Sequence, residues 1–172
     1  MPTLTWTAPA ALLLSILLLT PSASAQSDDY QGATKLFRAG QHAQALERVD
    51  NSLKSNPKDA RARFLKGLIL TEQNKPADAI KIFTSLTQDF PELPEPYNNL
   101  AVLYASQGQY DKARASLEMA IRTHPSYATA HENLGDIYAK MASQAYDNAL
   151  QLDKNNAAAQ TKLEMIKDLF SS

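Results

Sequence analysis

Apolar and polar positions alternate along most of this chain with the spacing of amphipathic helices. In the stretch PYNNLAVLYASQGQYDKARASLEMAIRTHP, residues 96–125, Tyr97, Leu100, Ala101 and Tyr104 form one apolar stripe. Tyr110, Ala113, Leu117, Ala120 and Ile121 form a second, and Gly108 breaks the chain between them. The pattern predicts two helices folded into an antiparallel hairpin. The small residues let the two backbones approach, and the large ones fill the space beside them.

The hairpin recurs. Pro57, Pro91 and Pro125 each close a helical run and stand 34 apart (91 − 57 and 125 − 91). A proline there stops a helix, since it lacks the N–H donor and biases the preceding residue away from α. Ala45, Ala79 and Ala113 keep the same period, as do Ala33, Gly67, Ala101 and Gly135. The period divides the chain into units over about 26–59, 60–93 and 94–127, with a shortened fourth over 128–155.

The fourth unit begins in register with Leu134, Gly135 and Tyr138, and its close, AYDNALQLDKNN, is also recognisable. Tyr104 to Leu117 spans 117 − 104 = 13 residues, whereas Tyr138 to the corresponding Tyr146 spans 146 − 138 = 8. The five missing residues are those of the turn. Nothing that breaks a helix remains, so one continuous helix is expected from about Ala128 to Leu152. Beyond the polar DKNN connector, Asn156 is placed to cap a last helix over 156–170, with Ala159, Leu163, Ile166 and Phe170 on one face. That helix either covers the end of the array or docks a partner or a second copy.

The residues of unit 94–127 resemble the tetratricopeptide repeat: an aromatic, a Leu-Ala pair and a Tyr, then Ala, a large apolar residue, a small residue and proline. The unit before it keeps Gly67, Leu70, Ala79, Phe83 and Pro91 but departs at Arg63, Lys66 and Leu86, where the family has an aromatic, an aliphatic and a small residue. The first unit keeps Ala33, Leu36, Gly40, Ala45, Ser52 and Pro57, and its opening is degenerate. The resemblance implies an all-α fold, a right-handed α-solenoid of antiparallel helix hairpins, ending in the long helix and a capping helix. It also implies a concave wall built by the first helix of each hairpin.

By helical phase, Tyr30, Thr34, Phe37 and Arg38 would stand on that wall in the first unit, and Arg61, Phe64, Leu68 and Glu72 in the second. Glu95, Asn98, Val102 and Ser106 would follow, then Glu132, Asp136 and Lys140. Phe37, Arg61, Phe64, Leu68, Asn98, Val102 and Asp136 are the expected contacts for an extended peptide or a partner helix. The alternative for Phe64 and Leu68 is packing against neighbouring units. Some members of the family grip chaperone C-terminal carboxylates with a Lys/Asn/Arg clamp. Tyr30, Thr34, Glu95 and Asn99 stand at those places here without paired basic residues, so that activity is not expected.

Charge excludes one class of partner. Lys and Arg total 17 against 18 Asp and Glu, without the basic excess of a nucleic-acid binder. No phosphate-cradling glycine loop occurs. His42, His124 and His131 lack metal-ligand spacing, and His131 is expected in the aromatic slot of its repeat. SNPK at 55–58 has a serine–lysine spacing without the companion motifs of that nucleophile class, and reads as a loop. The expectation is a protein that is not an enzyme, with no metal, cofactor or small-molecule substrate.

The N-terminus bears on location. AALLLSILLL, residues 10–19, followed by ASA at 23–25, has the form of a secretory signal peptide cleaved after Ala25, although no Lys or Arg precedes the apolar run. The run is too short for a membrane span, which takes about 18 apolar residues; a retained anchor is the alternative reading. With no cysteine, the exported chain has neither disulfides nor a cysteine-linked lipid. The leader resembles those of Gram-negative bacteria and so implies the periplasm. Together these readings suggest a protein- or peptide-binding scaffold that organises an envelope complex, including one associated with a membrane. The alternative is a regulatory or targeting subunit of an envelope enzyme, such as a peptidoglycan-modifying one. The sequence leaves the oligomeric state open.

Overall fold

The computed structural model describes residues 23–170, with side chains from Asp29 onward. The expected leader, residues 1–25, lies outside the described residues except for Ala23 to Ala25, whose backbone opens the first helix. Among the described residues eight helices follow one another: α1 Ala23–Arg38, α2 His42–Ser55, α3 Ala60–Glu72, α4 Pro76–Asp89, α5 Pro94–Ser106, α6 Tyr110–Thr123, α7 Ala128–Leu152 and α8 Ala157–Leu169. Each packs mainly on its neighbours in the chain, and α1 also touches α3, as α5 touches α7. That is the connectivity of an α-solenoid.

The hairpin turns show why the period holds. Gly40, Asn74 and Gly108 are spaced by 34 and adopt φ of 72°, 55° and 70°. Each is the left-handed residue that ends a helix. The following N–H reaches back five residues, from Gln41 to the Leu36 carbonyl, Lys75 to Leu70 and Gln109 to Tyr104, at 2.9 Å in each case. Glycine adopts that conformation without strain and asparagine is the residue that tolerates it next best. The next position in register, 108 + 34, is Ala142, and it lies inside α7. The turn is gone, and the first and second helices of the fourth unit are fused end to end.

The caps measure the deletion. Asp59, Leu93 and Tyr127 precede α3, α5 and α7 at intervals of 34, and Asn156 precedes α8 after 156 − 127 = 29. Asp59 caps with its carboxylate, accepting from the Arg61 and Ala62 amides, and Asn156 accepts from the Ala159 amide at 3.0 Å. The second half of α7 therefore stands, 29 residues on, where α6 stands one unit earlier. α8 folds back along that half, burying Ala159 and Leu163. Its last ring, Phe170, lies under the Lys140 ammonium at 3.8 Å.

The core runs through the middle of the stack. Ala33, Ala45 and Val49 bury between α1, α2 and α3, Phe83 and Leu86 between α3, α4 and α5, and Ala113, Leu117 and Ala130 between α5, α6 and α7. The second unit's departures from the repeat pattern are satisfied within it. Arg63 fills the aromatic slot by donating to Asp89 at 2.6 Å and to Ser85 at 2.8 Å, with its guanidinium 5.9 Å from the Phe90 ring. Lys66 crosses to Asp50 of the previous unit at 2.7 Å. His131 does not occupy its expected aromatic slot. It is exposed, and its Nε2 meets the Pro125 carbonyl at 3.0 Å, because the helix that would close the slot has been carried away by α7.

Candidate functional site

The first helices α1, α3, α5 and α7 line one side of the stack, and among the described residues hollows open there, of which two are lined by expected contact residues. The larger, of about 260 Å³, is lined by Tyr30, Ala60, Arg61, Phe64, Leu86, Leu93, Glu95 and Pro96. The smaller, of about 140 Å³, lies between α5 and α7 and is lined by Ala101, Val102, Ala105, Leu117, Asn133, Asp136 and Ile137.

In the larger hollow Phe64 stands half-buried, its ring edge-on to Phe83 at 5.5 Å. It therefore packs against its neighbours and presents a face to the hollow at once. Leu86 forms the floor. Its equivalents one unit either side are Ser52 and Ala120; the larger Leu86 is fully buried beneath the hollow. Arg61 is exposed, with its guanidinium 5.3 Å from the Tyr30 ring and 3.8 Å from Asp59. Glu95, its equivalent one unit on (95 − 61 = 34), also lines the hollow and is exposed. A half-buried Tyr127 hydroxyl has its pKa raised, chiefly by burial and further by the Glu95 charge. The hollow is thus an apolar recess with a cation and an anion at its mouth. Such a recess has room for an apolar side chain and places charged groups where polar groups could meet them.

The other expected contacts divide. Val102, 50% exposed, and Asp136 line the smaller hollow. Leu68 is half-buried against the α3–α4–α5 core. Asn98 is buried, and its carbonyl accepts a hydrogen bond from the Asn133 amide across 35 residues of chain at 2.8 Å. That oxygen joins α5 to α7. Phe37 sits at the turn end of the first hairpin with its ring 5.6 Å from that of His42, and it lines neither hollow. Sequence reasoning did not find Ala60, Leu86, Leu93, Pro96 or Asn133. Only Leu86 carried a signal, as an oversized residue at a small position.

Among the described residues no group of His, Asp and Glu is arranged to hold a metal ion, and no helix is long and apolar enough to cross a membrane.

Helix hairpins with a left-handed turn residue every 34 positions, stacked along one axis, define a tetratricopeptide-type solenoid. Two tetratricopeptide repeat family models match the chain, over residues 30–94 and 70–134, and together they cover more than half of it. The chain belongs to the tetratricopeptide repeat family, whose arrays are protein-binding scaffolds. A chloroplast tetratricopeptide repeat domain-containing protein of Arabidopsis thaliana, PYG7, is 38% identical over 85 residues, which is 46% of this chain and 28% of that protein. The chain thus spans little more than a quarter of that relative's length. Among solved structures, the Yersinia enterocolitica type III secretion chaperone SycD, in complex with a peptide of the translocator YopD, superposes with a TM-score of 0.65 at 15% identity over 70% of this chain and 97% of that one. YrrB, described as a TPR protein with an unusual peptide-binding site, superposes at 0.59 with 26% identity over 62% of this chain and 55% of that one.

Proposed function

We propose that this chain is a non-catalytic scaffold that binds an extended segment of a partner protein along the wall made by α1, α3, α5 and the front of α7, and that it does so in the periplasm as part of an envelope complex. The observation that carries the binding reading is the recess between Tyr30, Phe64 and Leu86, flanked by Arg61 and Glu95. It is sized for one apolar anchor of a peptide, and interface energy concentrates in such anchors. The similarity in fold to one array solved with a peptide and to another described as having a peptide-binding site supports the same reading. The envelope location rests on the apolar leader ending in Ala23–Ser24–Ala25. Partners exposed to that compartment follow, including those held at a membrane.

A photo-reactive residue at position 61 tests the groove against the outer face. Crosslinking in the native cell envelope is expected from position 61 and not from position 115 on the outer side of α6. Crosslinks confined to position 115 would move the binding surface to the convex face. A mature chain found intact from Met1 would overturn the export reading while leaving the groove reading untouched.

A further inference from the structure

In each complete hairpin, a small residue of the first helix faces a large apolar residue 16 positions later in the second. The pairs are Ala33 with Val49, Gly67 with Phe83, and Ala101 with Leu117. The sizes are matched. Alanine stands with an aliphatic residue, and glycine stands with the aromatic one. A Cβ on Gly67 would lie 2.6 Å from the Phe83 ring, so glycine opens a socket that the ring fills.

The fourth unit carries the same pair, Gly135 and Tyr146, now 146 − 135 = 11 apart because five residues are missing. It is again glycine with an aromatic. Here the two cannot meet. Both lie on the continuous helix α7, and 11 residues of α-helix hold them about 16 Å apart. The socket is consequently empty: Gly135 is exposed, and nothing lies within 4 Å of where its Cβ would be. Tyr138, the equivalent of the half-buried Tyr104, is 50% exposed beside it.

We infer that the socket is filled by Tyr146 of a second copy of this chain, so that two chains exchange the second half of α7 together with α8. Two α7 helices run antiparallel about a two-fold axis near Met141, and Tyr146 of each enters the Gly135 socket of the other. The surface used is the array's own hairpin interface, with the same residue sizes on each side. A shortened hinge is the familiar origin of such exchange, because the closed monomer no longer has chain enough to turn. Ala139 and Ala142 fall at the crossing, where their small side chains permit close approach. α8 travels with the exchanged half, since among the described helices α7 is the one it contacts substantially, and Lys162 of α8 lies 5.6 Å from the Tyr146 ring. The dimer carries two concave walls in one particle, so a partner presenting two linked segments engages both and gains avidity without any new contact.

The test is the mass of the intact chain by sedimentation equilibrium, with variants that write the register back. The wild type is expected as a dimer at micromolar concentration. Gly135→Ala places a Cβ into empty space in the single chain but against the incoming ring in the dimer, and is expected to weaken dimerisation at least tenfold. Gly135→Ala with Tyr146→Leu copies the Ala101 and Leu117 pair and is expected to recover it. Inserting a copy of residues 107–111 between Lys140 and Met141 restores the turn, returns Tyr146 to its own Gly135, and is expected to give a folded monomer. Because the chain has no cysteine, Ala142→Cys is expected to crosslink between chains with a short bismaleimide, and Leu169→Cys is not. A monomeric wild type overturns the inference. So does a dimer that survives the insertion, or one that crosslinks through position 169 instead of 142.

Discussion

Gly67 and Phe83 are in such close register that a single added carbon on Gly67 would lie 2.6 Å from two carbons of the Phe83 ring. Both residues are buried, Phe83 completely. The ring has no exposed end to swing away, because Phe64 stands edge-on against it at 5.5 Å. Gly67→Ala is therefore expected to destabilise the array by about 1–3 kcal/mol through overpacking, despite alanine's better helix propensity. Phe83→Leu added to it should recover part of the loss, giving a non-additive double-mutant cycle in urea denaturation.

Asn74 sits at φ 55° in the one turn of the three that lacks glycine. Asn74→Gly is expected to leave stability unchanged or raise it slightly. Asn74→Val places a β-branched side chain in the left-handed region and is expected to cost about 1–2 kcal/mol. Thermal melts of the two variants check the opposite signs.

Arg63 replaces an aromatic and is held by Asp89 at 2.6 Å and Ser85 at 2.8 Å. Its side chain is largely covered, while that of Asp89 is more than half exposed. Asp89→Ala is expected to cost about 1 kcal/mol, reduced from a buried pair's value by solvent at the carboxylate. Arg63→Tyr with Asp89→Ala returns the slot to the form of Tyr97, and its melting temperature is expected at or above that of Asp89→Ala alone.

Asn98 and Val102 lie one helical turn apart on α5 but differ in what they touch. Asn98→Ala leaves the Asn133 amide without its 2.8 Å acceptor in a half-buried position, and is expected to cost about 1–3 kcal/mol of stability. Val102→Ala removes an exposed side chain from the rim of the smaller hollow. It is expected to change stability by less than about 0.5 kcal/mol and to weaken capture of a groove-bound partner. Chemical denaturation together with a partner-binding isotherm separates the two roles.

The sequence by itself determined the helices, their period and the unbroken course of α7. Each depends on local chemistry: apolar spacing fixes a helix's inner face, glycine or proline ends it, and the five-residue shortfall leaves α7 with no residue able to turn. Gly40 and Gly108 advertise two turns, while Asn74 is read as a turn only once its φ is seen. Tertiary structure decided which groups remain available on the wall. Helical phase places Asn98 on it correctly, yet cannot say that Asn133, 35 residues away, takes its oxygen. Phase likewise says nothing of Phe37 leaning to His42, or of Leu86 reaching through from a second helix to floor the recess. It places His131 in an aromatic slot whose closing helix is absent. The physical reason is the same in each case. A helix's own sequence sets the direction in which a side chain leaves the backbone, whereas what that side chain meets belongs to another helix whose distance and register are fixed only when the hairpins stack.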